Sequence, residues 1–290
     1  MISIFAKPTF ININPHEAFK DRVKPIPDGR GHLMRVSSMI RGDQIADQIG
    51  AKLNPESGYE NDVCIYVKPH LKKDDMTFKF EGRKSYIDIV DGHNLGQLLK
   101  KHPDVGLIVC SDIDRDTMAR VVSNEITVIP QHHCNYDRQR RNRNEITRVG
   151  VIGTAGAFPL LPKELKPELE KRGMELVEYS RFFTRQDIID FYMSIDVQII
   201  WRPYKKLLSN PLKMVNACSF GVPTIALDEE AFHELSGYYM PVRDLGGFLG
   251  YLDALKSTPG MYDDYSKRCY IKAEHYHIEN VGNLYKKLDD

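Results

Sequence analysis

A chain of 290 residues with 42% hydrophobic and 28% charged residues has the balance of a globular protein and the length for two cores of ordinary size, which excludes a disordered chain. Its 40 basic and 40 acidic residues cancel, so overall charge points to neither a nucleic-acid binder nor an acidic partner. No apolar run reaches spanning length and MISIFAKPTF lacks the pattern of a secretion signal, so the expected location is cytoplasmic.

In chain order, short apolar runs bounded by turn residues alternate with helical patterns, the arrangement of α/β units with mainly parallel sheets. The first half predicts strands at Ile2 to Phe5 or Phe10 to Ile13, Val63 to Val67, Tyr86 to Val90, Gly106 to Cys110 and Ile126 to Ile129. Helices are expected at His32 to Lys52, Leu95 to Lys101 and Arg115 to Val122. The second half predicts strands at Arg148 to Ile152, Glu175 to Tyr179, Val197 to Trp201, Thr224 to Leu227 and Tyr239 to Val242. Between them fall helices near Pro162 to Arg172, Asp187 to Ser194, Pro211 to Phe220 and Phe232 to Leu235. The basic stretch from Arg138 to Arg148 shows no apolar period before Ile146. It places a linker at 138–147 between a first domain, 1–137, and a second, 148–290, each read as a doubly wound, Rossmann-like unit. From Gly246 the pattern is helical, and the last segment, Tyr262 to Leu288, is rich in aromatic residues.

Cys64, Cys110, Cys134, Cys218 and Cys269 are odd in number, widely spaced and without a Cys-x-x-Cys pair, so reduced thiols are expected. His132-His133-Cys134 has no second ligand pair at zinc spacing, and no metal site is assigned.

The most informative stretch runs from Ser209 to Leu227. Ser209 or Asn210 suits an N-cap, Pro211 the first helical position, and Gly221 with Pro223 stops the helix before a buried strand. Lys213 then sits in the first turn, where the helix dipole disfavours a cation unless an anion shares the site. Asn216 follows one turn later in an otherwise apolar segment. The small-residue turn Gly153-Thr154-Ala155-Gly156 after the strand at 148–152 lets backbone N–H groups approach a phosphate. It lacks the dinucleotide fingerprint, so a nicotinamide cofactor fits poorly. Arg202, Lys205 and Lys206 follow another strand at its carboxyl edge, where cations reach a diphosphate.

Taken together, Pro211-x-Lys213-x-x-Asn216-Ala217-x-x-x-Gly221-x-Pro223-x-Ile225-Ala226 resembles the donor-binding segment of nucleotide-sugar glycosyltransferases with the two-domain GT-B fold, its local pattern being most similar to the retaining group. The resemblance implies two Rossmann-like domains facing a cleft and a terminal helix packed back across the first. It implies transfer of a sugar from a nucleoside diphosphate sugar to an acceptor hydroxyl, with no cofactor and no metal ion. Lys213 then lies near the donor phosphates, and Asn216 stands where relatives usually carry a ribose-holding Glu. Gly153, Thr154, Ala155, Gly156, Arg202, Asn210 and Glu230 complete the donor site.

On the acceptor side the candidates are Arg30 and Gly31 in a Gly-rich turn, Arg41, and His132 near the expected cleft. Asp91 and His93 are the candidate proton acceptors, after the strand at Tyr86 to Val90. Asp112-Ile113-Asp114 imitates the Asp-x-Asp motif of metal-dependent GT-A enzymes, but Ser111 or Asp112 reads as a helix cap. Expected partners are the donor and a glycan, lipid-linked or other hydroxyl acceptor. Two alternatives stand: transfer to hydroxymethylated pyrimidines of DNA, carried by the basic stretch Arg138 to Arg148, and a non-catalytic nucleotide-sugar binding protein, carried by Asn216.

Overall fold

The computed structural model of the protein describes residues 1–6, 23–25, 31–33, 36–69, 80–92, 99–142, 145–180, 184–204 and 207–290. Two parallel sheets organise them. The first takes the order β4-β1-β5-β6-β7-β8, from β1 (Ile2–Ala6), β4 (Lys52–Leu53), β5 (Val63–Val67), β6 (Lys84–Asp88), β7 (Gly106–Val109) and β8 (Ile126–Val128). The second takes the order β10-β9-β11-β12-β13, from β9 (Arg148–Ile152), β10 (Glu175–Tyr179), β11 (Val197–Ile200), β12 (Thr224–Leu227) and β13 (Met240–Val242). The apolar runs Val63–Val67, Gly106–Val109 and Val197–Ile200 are buried at every position because helices cover both faces of a parallel sheet. In the second sheet the order reverses at β9, so a crevice opens beyond the carboxyl ends of β9 and β11, where doubly wound folds bind ligands.

Several expectations shift. The helix expected at His32 to Lys52 is shorter: Gly31–Leu33 is a strand, β3, antiparallel to β2 (Val23–Pro25), and the chain turns helical only at Val36. It passes through a π-turn at Met39–Asp43, continues as Gln44–Ile49, and Lys52–Leu53 is already β4. Gly31 therefore lies in a β-ribbon and not at a helix start. The helix expected from Arg115 begins at Asp112, because the Ser111 hydroxyl accepts the Asp114 N–H at 3.1 Å. The alternative first strand, Phe10 to Ile13, and most of the helix expected at Leu95 to Lys101 lie outside the described residues.

The last helix, Ile278–Lys286, leaves the second sheet and packs on the first. Ile278, Val281 and Tyr285 belong to one core with Ile2, Ile4, Ile45, Val63, Ile65 and Tyr86. Each such buried side chain contributes roughly 1.5–3 kcal/mol relative to exposure. Tyr285 Oη donates to Asp88 Oδ2 at 2.8 Å, and Arg41 Nε donates to the same oxygen at 2.7 Å, all three side chains fully buried. The connecting stretch is held as firmly: Arg141 is ion-paired with Asp196 and donates to Tyr262 Oη at 2.8 Å, while Asp196 accepts the N–H groups of Thr147 and Arg148. No described helix is long and apolar enough to cross a membrane.

Candidate active site

The helix Leu212–Ser219 starts after Pro211, and Asn210 Oδ1 accepts the Leu212 N–H at 3.3 Å. Asn210 thus closes a short turn onto the helix start, with Pro211 at the N-cap position, and Ser209 turns its hydroxyl to Arg202. Gly221 ends the segment at φ +70°, a conformation that a side chain would strain. Met214, Val215, Ala217 and Cys218 are buried, which leaves Lys213 as the exposed residue of the first turns. Its ammonium lies over the Gly153 backbone: a Cβ at Gly153 would stand 2.9 Å from Lys213 Nζ. Glycine at 153 leaves room for the Lys213 ammonium at the carboxyl end of β9.

Around this point a cavity of about 240 Å³ opens between the sheets. The second sheet contributes Val151, Ile152, Ala157, Trp201, Arg202, Tyr204, Ser209, Asn210, Lys213 and Phe232, and Asp91 approaches from the first. Asp91 sits in a tight turn after β6, closed by the Gly92 N–H to the Ile89 carbonyl at 2.7 Å. Val90 occupies the second position of that turn at φ +54°, where a β-branched side chain is strained and glycine is usual. Such strain collects at functional turns, and here it sets Asp91 at the cavity beside its ion-pair partner Lys68.

The structure thus brings Gly153, Arg202, Asn210, Lys213 and Asp91 together. The remaining candidates fall elsewhere. Thr154, Ala155 and Gly156 are exposed, and the loop winds into a 3₁₀ turn, Ala155–Leu160, whose Ala157 and Leu160 face the cavity instead. Gly156 has open space around it, so no close approach requires a glycine there. Asn216 is only 8% exposed and does not line the cavity; its Oδ1 accepts the Cys134 N–H at 2.9 Å, fastening the helix to the segment that joins the sheets. Glu230 lines a second cavity, of about 510 Å³, with Asp114, Thr117, Arg120 and Leu207. The acid that meets Arg202 is its neighbour Glu229, in a half-buried ion pair.

Arg41 and His132 are not acceptor residues at a surface. Arg41 is fully buried, bound to Asp88 and to the carbonyls of Ile129 and Pro130 at 2.8 and 2.7 Å. His132 is 2% exposed, with its two ring nitrogens 2.9 and 3.1 Å from the Ile40 and His133 carbonyls, and burial pushes its imidazole down to about 4. Arg30, His93, Lys205 and Lys206 lie outside the described residues. Sequence reasoning missed Glu229, Lys68, Trp201 and Tyr204. The aromatic pair on the loop after β11 was the available signal for the last two.

Much of the basic stretch is paired within the chain: Arg138 pairs with Glu274 and Glu279, Arg140 lies over the Tyr270 ring, Arg141 pairs with Asp196 and Arg148 with Glu175, while Arg143 lies outside the described residues. Arg138 also fills the one grouping among the described residues with metal-ligand geometry, Glu274, His277 and Glu279.

Neither a protein-family profile nor a curated protein matches the chain by sequence. Solved structures do match by fold. TarM of S. aureus, in a complex with Fondaparinux, α-GlcNAc-glycerol and UDP, superposes with a TM-score of 0.57 at 12% identity, over 81% of this chain and 52% of its own. The pneumococcal O-GlcNAc transferase GtfA, bound to UDP and GlcNAc, gives 0.52 at 11% identity, over 90% and 65%. The Gap123 glycosylation-associated complex of Streptococcus agalactiae gives 0.57 at 10% identity, over 80% and 55%. The chain therefore spans about half to two-thirds of the structures it resembles. At these identities the likeness establishes architecture: two Rossmann-like domains in the GT-B arrangement, as the local resemblance around Lys213 implies.

Proposed function

We propose that the protein transfers a glycosyl group from a nucleoside diphosphate sugar to an acceptor hydroxyl, without a metal ion. The observation that carries this reading is the meeting of Lys213 and Asn210 at the helix start with Asp91 of the opposite sheet around one cavity, Gly153 lying beneath the Lys213 ammonium. The first-turn N–H groups of a helix and an adjacent ammonium form an anion site, matched to the charge that builds on a departing diphosphate. Asp91, across the cavity, receives the proton of the acceptor hydroxyl as its oxygen bonds to the anomeric carbon and the bond to the diphosphate breaks. Arg202, neutralised by Glu229, orients the loop through Ser209 more than it supplies free charge. The structural neighbours crystallised with UDP give the reading support at the level of fold.

The test is a thermal-shift screen with UDP, GDP, ADP, TDP and CMP sugars, since a ligand at 100 times its dissociation constant adds about 2.7 kcal/mol of stability. One donor class is expected to raise the melting temperature, and Lys213→Ala is expected to abolish most of that shift. No shift with any donor, or one that Lys213→Ala leaves intact, refutes the assignment. A second reading, donor binding without transfer, draws on Asn216, whose side-chain oxygen is taken by the Cys134 N–H. Donor binding without hydrolysis or transfer across a broad acceptor panel decides for it.

A further inference from the structure

The loop between β11 and the Leu212–Ser219 helix belongs to the second sheet by connectivity, yet part of its packing belongs to the first. Leu208 is 2% exposed and sits in the core that contains Tyr66, Ile87, Ile89, Leu107, Val109 and Met118, from β5, β6, β7 and the helix after β7. One residue on, Ser209 lines the larger cavity together with Asp114 of that helix, and Asp114 is itself 2% exposed. Ser209 lines both cavities, holds Arg202 through its hydroxyl, and immediately precedes Asn210. An apolar plug and a buried carboxylate of one half thus grip the loop that carries the anion site of the other.

We propose that Leu208 and Asp114 are positioning residues, forming a strap that fixes the Ser209–Lys213 segment against the first sheet so that Asn210 and Lys213 are presented only while the strap is docked. The proposal rests on the donor-site reading for its functional consequence, but the strap itself is independent of any ligand. Burial holds the Asp114 carboxyl up to about 6, with Asp91 of the turn after β6 adding like charge. The other charged groups facing this region are Asp112, Asp116 and Arg120 of its own helix and Glu230 and Glu234 of the opposing 3₁₀ turn. Covering a carboxyl whose folded pKa is raised favours proton uptake, so docking is tightest below the ordinary carboxylate range, loosens as pH rises to about 6 and changes no further above it.

Hydrogen exchange on the full-length chain from pH 5 to 8, corrected for intrinsic rates, reads the strap directly in peptides spanning residues 207–214. Leu208→Ala and Asp114→Ala should each speed exchange there by on the order of tenfold or more, because each removes a buried anchor. Asp114→Asn, which keeps the size and polarity of the side chain, should retain protection and lose the pH dependence. Unchanged exchange in Leu208→Ala, or Asp114→Asn behaving as Asp114→Ala does, overturns the proposal. Should Leu208→Ala fail to fold, the two Asp114 variants decide. Trp201 is the sole tryptophan and lines the cavity, so its fluorescence reports donor titrations in the same proteins. Weaker donor affinity in the fast-exchanging variants is expected. If the wild-type chain binds no nucleotide sugar, the donor reading falls while the exchange pattern still judges the strap.

Discussion

Replacing Tyr285 by Phe removes one hydroxyl and leaves the ring that fills the core under the first sheet. That hydroxyl donates to Asp88 Oδ2 at 2.8 Å, where both side chains are fully buried, and Arg41 already occupies the same oxygen at 2.7 Å. Asp88 Oδ1 is buried and has no hydrogen-bond partner among the described residues, so the carboxylate is already short of one bond before the hydroxyl is removed. A hydrogen bond to a charged acceptor is worth about 1.5–3 kcal/mol, and with no solvent access the upper part of that range applies, roughly 2–3 kcal/mol. At about 2–4 °C per kcal/mol, the melting temperature should fall by roughly 4–12 °C. Calorimetry and urea unfolding measure this, with the urea slope unchanged. The control is Tyr270→Phe, whose hydroxyl meets the Arg138 carbonyl at 2.8 Å in an exposed position and should cost less than about 1 kcal/mol. Equal effects of the two variants would refute the claim that the terminal helix is fastened to the first sheet through a buried charge.

Gly153→Ala should leave stability within about 1 kcal/mol, since the new methyl meets only the mobile end of Lys213, while donor affinity drops several-fold as the ammonium is displaced; titration against the wild-type chain checks both. Asn216→Ala orphans the buried Cys134 N–H and should destabilise by about 1–3 kcal/mol with donor affinity nearly unchanged; a loss of affinity without a loss of stability would return Asn216 to the donor site. Burial raises the Glu234 carboxyl to about 7, so its folded form holds a proton more tightly than the unfolded chain does. Its contribution is complete below the ordinary carboxylate range and is lost as pH rises toward 7, so Glu234→Gln should flatten the fall in melting temperature between pH 5 and 8.

The α/β architecture was legible because parallel strands buried on both faces are continuous apolar runs, as at Val63–Val67 and Val197–Ile200, and because the Leu212–Ser219 helix carries its own start and stop chemistry. β2, β3 and β4 were not legible, since strands of two or three residues lack a period. Among the candidates, Lys213 stands out through a local conflict, a cation at a helix start, and the structure sets it at the cavity. Asn216 and Arg41 were misread because their partners, Cys134 and Asp88, lie 82 and 47 residues away, and nothing in either neighbourhood distinguishes a buried clamp from a ligand contact. Glu230 was missed by one position: the turn after β12 gives Arg202 to Glu229, and adjacent side chains in such a turn diverge into different cavities.

These misreadings share a physical cause that bears on how the molecule works. Asn216 ties the Leu212–Ser219 helix to the joining segment, Tyr285 ties the terminal helix to β6, and Leu208 ties the loop before that helix to the core of β5, β6 and β7. Each of these side chains joins one half of the chain to the other. Tyr285 meets β6 at its end: Asp88 closes that strand, and the strained turn at Val90 follows two residues later, carrying Asp91 to the cavity. A perturbation of the terminal helix is therefore passed to Asp91 through one short strand end, whereas Lys213 feels the first sheet through Leu208 and Ser209. The two sides of the cavity are held by separate contacts, which predicts that Tyr285→Phe and Leu208→Ala combine nearly additively in stability, within about 0.5 kcal/mol. A larger coupling in a double-mutant cycle would mean that the turn and the loop move as one unit.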